Sequence, residues 1–252
     1  MVIFGDYHIH TVDSDGKSTL EENVKNAVNK GLKQIAITDH SFSHMANGIS
    51  REDYKRQTET INSIKDKYNI EILHGVETNL MGLDGRIDVT EEERNNFEVL
   101  VLGYHLTYKP YSVKNFFNFW LPSMLKCNTK KRIEKNTQAY IKAIEQNQID
   151  IVAHLNFRIK VDPVQIAKVA KEHETYIELN TRHIEELSDK QILEMFETGV
   201  KFVINSDAHL CDHIAKPNRV FAVIERLNLP KSQIVNLNDV PKFKNYNLDK
   251  KY

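Results

Sequence analysis

Seven short apolar runs punctuate this chain, and nearly all of them stop at an imidazole or a carboxylate. They run from Val2 to His8, Gln34 to Thr38, Ile70 to Glu77, Phe97 to Gly103, Ile149 to Ala153, Thr175 to Leu179 and Val200 to Ile204. Each is too short for a helix and mostly β-branched or aliphatic, as expected of a strand buried on both faces. Helical signals lie between them. Ser18-Thr19-Leu20-Glu21 has the form of a capping box, followed by Leu20, Val24, Ala27 and Val28 on one face and a stop near Gly31. Arg51 to Tyr68 is polar and helix-compatible, with Ile61 and Ile64 inward. Further starts are expected at Thr90 with Glu93, Asp162-Pro163, and Ser188 with Gln191; Ile133 to Ile144 and Asn218 to Leu227 are helical in pattern. Asn79 to Val89, with Gly82 and Asp84-Gly85, reads as a small hairpin.

About seven strand-then-helix units imply a parallel sheet, and that many units favour a closed or nearly closed α/β barrel. An open doubly wound sheet is the alternative. No glycine-rich turn follows the first strand, which argues against its dinucleotide-binding form. With 252 residues and no internal linker or low-complexity run, one domain spanning 1–252 is expected.

Charge is balanced, with a formal net charge of −1, so no general nucleic-acid or anionic-membrane surface is indicated, though a local basic patch stays open. Cys127 and Cys211 sit in no metal or redox spacing and read as reduced thiols. The first residues lack a signal-peptide pattern and no apolar run approaches a membrane span, so a cytoplasmic protein with no membrane partner is expected.

The polar run ends form a set. The first run delivers His8 and His10, one residue apart and hence on one face of a strand, with Asp15 just beyond. The others add Asp39 and His40, Glu77, His105, His154, and Asp207 with His209; only the sixth run, ending at Asn180, offers neither acid nor imidazole. In a barrel these ends meet at one face, where such folds keep their chemistry. Imidazole mixed with carboxylate suits zinc, manganese or iron better than magnesium or calcium. Even without Asp39, nine ligands exceed the needs of one ion. A carboxylate such as Glu77 can bridge two, so a cluster of two to three divalent ions is expected. Clustered ions of this kind favour phosphate-ester hydrolysis.

Taken in order, His8-x-His10, Ser14-Asp15-Gly16, Thr38-Asp39-His40, Gly75-Val76-Glu77, the separate His105 and His154, and Ser206-Asp207-Ala208-His209 resemble the motifs of the PHP (polymerase and histidinol phosphatase) superfamily. The resemblance covers nearly the whole chain. It implies a distorted seven-stranded barrel with a trinuclear centre. One ion would take His8, His10, Glu77 and Asp207, a second Glu77, His105 and His154, and a third Asp15, His40 and His209. Ala153-His154-Leu155-Asn156-Phe157 and Glu178-Leu179-Asn180-Thr181 look most like segments of histidinol phosphatases, with Ala153 and Asn156 where those carry glycine and aspartate.

The resemblance implies a phosphomonoesterase acting on L-histidinol phosphate, or on a similar small phosphorylated substrate, by attack of a metal-activated hydroxide on phosphorus. Asp207 or His209 would assist the leaving alkoxide as catalytic groups. Arg158, Lys160 and Arg182 follow the fifth and sixth runs and are candidate phosphate contacts. Asp39 is expected to hold an imidazole or cap a helix. The aromatic stretch Tyr108 to Trp120 reads as a lid, as core or as an interface. His44 is a candidate substrate contact; His74, His173, His183 and His213 read as ordinary histidines. Two other functions stay open: hydrolysis of another bond, such as an amide or nucleotide phosphodiester, and a metal-binding regulatory protein with little activity. No stable nucleic-acid partner is expected, and the sequence is silent on oligomeric state.

Overall fold

The computed structural model describes residues 1–237 and 239–245. Its strands are β1 (Gly5–Asp6), β2 (Gln34–Ile37), β3 (Glu71–Asn79), β4 (Val99–Gly103), β5 (Ile151–Val152), β6 (Tyr176–Asn180) and β7 (Phe202–Asn205). All pair in parallel, in chain order, as one seven-stranded sheet. The sheet curls until its edges meet just beyond β1 and β7. There Ile9 bridges Ala208, His10 N donates to the Ala208 carbonyl at 2.9 Å, and Ala208 N donates to the His8 carbonyl at 3.1 Å. The result is a nearly closed TIM-like α/β barrel, its edges joined at the end where the ligand-type residues emerge.

Side chains on one strand alternate between the barrel interior and the surrounding helices. The interior floor is apolar: Tyr7, Ala36, Leu73, Val99, Val101, Ile151, Ala153 and Val203 form one buried cluster. Phe243 closes it, with its ring edge-on to Tyr7 at 5.0 Å. The alternate residues, such as Ile35, Ile72, Leu100, Val152 and Ile204, belong to the larger core shared with the helices. Two residues further along the same inward rows the chemistry changes. Leu73 is followed by Gly75 and Glu77, Tyr176 by Glu178 and Asn180, and Val203 by Asn205 and Asp207. A polar layer therefore rests directly on an apolar plug.

The helices start largely where capping chemistry places them. Thr90 with Glu93 and Ser188 with Gln191 form reciprocal capping boxes, and Asp162 caps the helix Pro163–Glu172. The first helix differs by one residue from the sequence expectation. Its cap is Thr19, paired with Glu22, because Ser18 Oγ instead accepts from Cys211 N at 2.9 Å and ties the segment after β7 to the helix entry. The hairpin after β3 is present: Leu80 bridges Ile87, and Gly85 takes the left-handed conformation its turn requires (φ 82°). Among the described residues no helix is long and apolar enough to cross a membrane.

Candidate metal centre

The structure brings all nine sequence-selected ligand residues to the mouth of the barrel. Glu77 stands at the middle, almost wholly buried. Its two carboxylate oxygens face different partners. Oε1 lies 2.8 Å from His154 Nε2 and 3.5 Å from His105 Nε2. Oε2 lies 2.9 Å from His40 Nδ1, 3.4 Å from His8 Nε2 and 3.7 Å from His10 Nε2. Asp207 Oδ1 comes within 3.5 Å of His10 Nε2 and 4.0 Å of His8 Nε2. Asp15 Oδ2 lies 3.4 Å from His40 Nε2 and 3.2 Å from His209 Nε2.

Ligand-type atoms gather in four overlapping groups, each within 4.8 Å: His10, Asp15, His40 and His209; His8, His10 and Asp207; His8, Glu77 and His154; and His40, Glu77 and His105. Five buried atoms at their centre, His8 Nε2, both His10 ring nitrogens, His40 Nδ1 and Glu77 Oε2, form no hydrogen bond. Buried polar atoms without partners are costly, and these ring nitrogens, all but His10 Nδ1, surround Glu77 Oε2. Divalent cations bound among them would satisfy His8 Nε2, His10 Nε2, His40 Nδ1 and Glu77 Oε2, while His10 Nδ1 faces the carboxylates of Asp15 and Asp39, so the donor set fits the ions its chemistry suggests.

Several neighbours make the arrangement possible. Gly103 on β4 leaves the space for the central carboxylate: a Cβ there would stand 2.4 Å from Glu77 Oε1 and 2.9 Å from His105 Cε1. Glu178, inside β6, lies 2.8 Å from His8 Nδ1 and accepts from His154 N at 2.9 Å. That contact holds the proton of His8 on Nδ1 and aims Nε2 at the centre. Asp39 does not hold an imidazole. It accepts from Thr11 N, Thr11 Oγ1 and Gln57 Nε2 at 2.6 to 2.7 Å, bracing the loop that carries Asp15, while His10 Nδ1 stays 3.9 Å away. Asp88 accepts from Ser41 and Ser43 through one oxygen and from Thr78 and Asn79 through the other, clamping the residues just after His40 and Glu77. His154, Asn156 and Asp207 all have positive φ without being glycine, so backbone strain concentrates here.

Electrostatics follow from this crowding. Burial would raise the Glu77 carboxyl, but the charges of His105, His8 and His40 and the bond with His154 hold it well below the usual carboxylate range. Asp207 is held down in the same way, against burial, by His8 and His10. Burial pushes His10 down to about 4 and leaves its ring neutral and free to coordinate.

A cavity of about 350 Å³ opens above the centre. Its wall includes Arg158, Arg182, His44, Asn47, Leu106 and Phe157 beside the ligand residues. Arg182 Nη1 donates to Asp207 Oδ1 at 3.1 Å and lies 2.8 Å from His209 Nδ1. Arg158 sits over the Phe157 ring. Lys160 does not line the cavity; its ammonium donates to Glu186 Oε2 at 2.9 Å and to the Asn156 carbonyl at 3.0 Å. Tyr108 to Trp120 do not line it either. Tyr108 and Phe119 are core, and Trp120 Nε1 supports the wall from behind by donating to the Leu106 carbonyl at 2.9 Å.

Three contributors escaped the sequence reading. Glu178 corrects the view that the sixth strand brings no acid; the signal was its place two residues before Asn180 on one face. His183 lines the cavity, with its ring 3.8 Å from that of Phe157. Gly103 looked like a strand end and is the gap that admits Glu77.

A nearly closed α/β barrel with clustered imidazoles and carboxylates at its strand ends is the architecture of a metal-centred barrel protein. The chain belongs to the PHP family, whose PHP domain matches residues 6–195. A probable phosphatase of Caldanaerobacter subterraneus subsp. tengcongensis is 29% identical over 98% of this chain and 91% of its own length. The DNA polymerase/3'-5' exonuclease PolX of Bacillus subtilis is 28% identical over 82% of this chain, a match spanning 34% of the polymerase. A solved histidinol phosphate phosphatase of Lactococcus lactis, complexed with zinc, L-histidinol and phosphate, shares the fold with a TM-score of 0.60 and 16% identity, over 97% of this chain and 98% of its own.

Proposed function

We propose that this protein, acting as one domain over residues 1–252, is a metal-dependent phosphomonoesterase, with L-histidinol phosphate the first substrate to test. One observation carries the reading: the two oxygens of Glu77 face separate imidazole sets, the layout a carboxylate shared by two ions needs. His8, His10, Glu77 and Asp207 would hold one ion, Glu77, His105 and His154 a second, and Asp15, His40 and His209 a third. Bound zinc, manganese or iron would supply Lewis acidity and a water acidic enough to act as nucleophile near neutral pH.

The chain's own side chains do the rest. Arg182 and Arg158 present guanidinium groups to the cavity and orient the phosphate oxygens. His209 borders the rim beside Arg182 and assists the departing alkoxide; Asp207, held as a carboxylate with no proton to give, acts by positioning Arg182 at 3.1 Å and, through its carbonyl at 3.0 Å from Nδ1, His209. Phe157 and Leu106 give the ester's organic part an apolar wall. The likeness to the histidinol phosphate enzyme supports that substrate.

A second reading, another small phosphate ester, is favoured by the rim. The carboxylates lining the cavity are Asp15, Glu77 and Asp207, all committed to the centre, so none among the described residues is spare for the ammonium of an amino alcohol.

The test is steady-state phosphate release by protein reconstituted with manganese or zinc, from L-histidinol phosphate and from p-nitrophenyl phosphate. Preference for histidinol phosphate by orders of magnitude establishes the specific assignment. Turnover of the aryl ester alone keeps the phosphomonoesterase and replaces the substrate. Turnover of neither, with metal bound, overturns the proposal. A chelator should abolish the activity and added metal restore it.

A further inference from the structure

Beside the catalytic cavity lies a second depression of about 610 Å³, and the two share Arg182 and His183. Its wall adds Lys216, Asn218 and Arg219 and contains no carboxylate. This differs from the first cavity, where three acids balance the cations. It also differs from the chain as a whole, in which 35 acids answer 34 lysines and arginines. Lys216 is exposed and forms no ion pair among the described residues. Arg219 has one partner, Glu185 at 3.6 Å, and both are well exposed, so the pair is weak and screened. The helix Asn218–Arg226 begins at this groove with no side chain capping its first turn, which adds a modest positive potential to that of the cations. Arg182 stands between the two depressions, with its guanidinium against Asp207 and His209 on one side.

We propose that this groove is a second anion subsite. Preferred substrates are then phosphomonoesters carrying a further anionic group, phosphate or carboxylate, which rests on Lys216 and Arg219 while the scissile phosphate lies in the metal cavity. The inference rests on the phosphomonoesterase reading and narrows its substrate class. Two phosphates repel one another in water, and a site that pairs each with its own cations binds the doubly charged ester selectively.

The test uses the metal-reconstituted protein and three families of matched chain length: α,ω-alkanediol bisphosphates, ω-phosphoalkanoates and plain alkyl monophosphates. At the best length, kcat/KM for a doubly anionic ester should exceed that of the alkyl monophosphate at least tenfold, chiefly through KM. Which of the first two families shows the larger gain identifies the second anion. Both cations are exposed, so Lys216→Ala with Arg219→Ala should fold and bring the ratio to about one; Lys216→Glu should push it lower still. A wild-type ratio near one at every length overturns the inference alone, as does a gain that survives the double substitution. Phosphate release from none of the families overturns the phosphomonoesterase reading and this inference with it.

Discussion

The floor and the mouth of the barrel are built from the same strands with the same period, yet they are held together differently. The floor residues Leu73, Val101 and Val203 satisfy one another by packing, and Phe243 completes them against the Tyr7 ring, whose hydroxyl is the floor's one buried side-chain polar atom without a hydrogen bond among the described residues. Burying each such side chain contributes about 1.5–3 kcal/mol. Four residues beyond Leu73 on one strand, Glu77 is just as buried, but three of the rings around it, those of His8, His10 and His40, carry nitrogens that form no hydrogen bond. The mouth relies on the floor to hold its groups in place. Buried polar atoms kept apart from water in this way are pre-organised for an ion.

Glu77→Ala should break that comparison most severely. It removes the one carboxylate that both imidazole sets face. Phosphate release should fall by at least ~10³-fold, and metal analysis should show at least one equivalent fewer per chain. The metal-free variant should keep the barrel's secondary structure by circular dichroism, because no packing is lost from the floor, so that the loss is read at the centre and not as unfolding. Full activity with unchanged metal content would refute the bridging role.

Gly103→Ala sharpens the comparison at lower cost. The new methyl group would stand 2.4 Å from Glu77 Oε1, so the carboxylate must move. A displacement of about 1 Å at a reacting centre typically costs ~10²-fold in rate. We expect a loss of 10- to 100-fold in kcat, partly recovered at raised metal concentration, with the secondary structure intact by circular dichroism. Unchanged kinetics would mean that the position of Glu77 does not matter to within that distance.

How much of this was legible depends on the kind of signal. Strand-end ligands announce themselves because an acid or imidazole directly after an apolar run breaks the pattern, as at His40, His154 and Asp207. Glu178 breaks no such pattern: it lies inside its run, between Ile177 and Leu179, and only period-two counting puts it inward. Gly103 carries no side chain to notice, and its role exists only because β3 and β4 pair with Glu77 beside Val101 and Asn79 beside Gly103. At the first helix the expected capping box was Ser18 with Glu21, and the one formed, Thr19 with Glu22, has the same residue pattern shifted by one. Local chemistry cannot choose between them. A contact across 193 residues, from Cys211 to Ser18, takes Ser18 away. The apolar runs also outlast their ladders, as Ile149 to Ala153 shows against Ile151–Val152, because buried side chains continue past the last paired backbone. Lys160 looked like a phosphate contact by position alone, and the acid that engages it, Glu186, is remote in sequence.

Leu73→Ala approaches the comparison from the other side and should disturb the centre least. Leu73 is 1% exposed and lies within the apolar plug, two inward positions below Glu77. Truncation removes its transfer energy and leaves a cavity that rigid strands fill poorly, at a cost of about 2–5 kcal/mol, read as a lower denaturant midpoint with an unchanged slope. Yet Gly75 separates Leu73 from Glu77, and the carboxylate is positioned by the imidazoles around it and by the gap at Gly103. Metal content and kcat per folded chain should therefore stay within about twofold of wild type, well short of the rate cost of a displaced reacting group. If they fall in proportion to stability instead, floor and mouth form one cooperative unit, and the orphaned polar layer must be counted within the core itself.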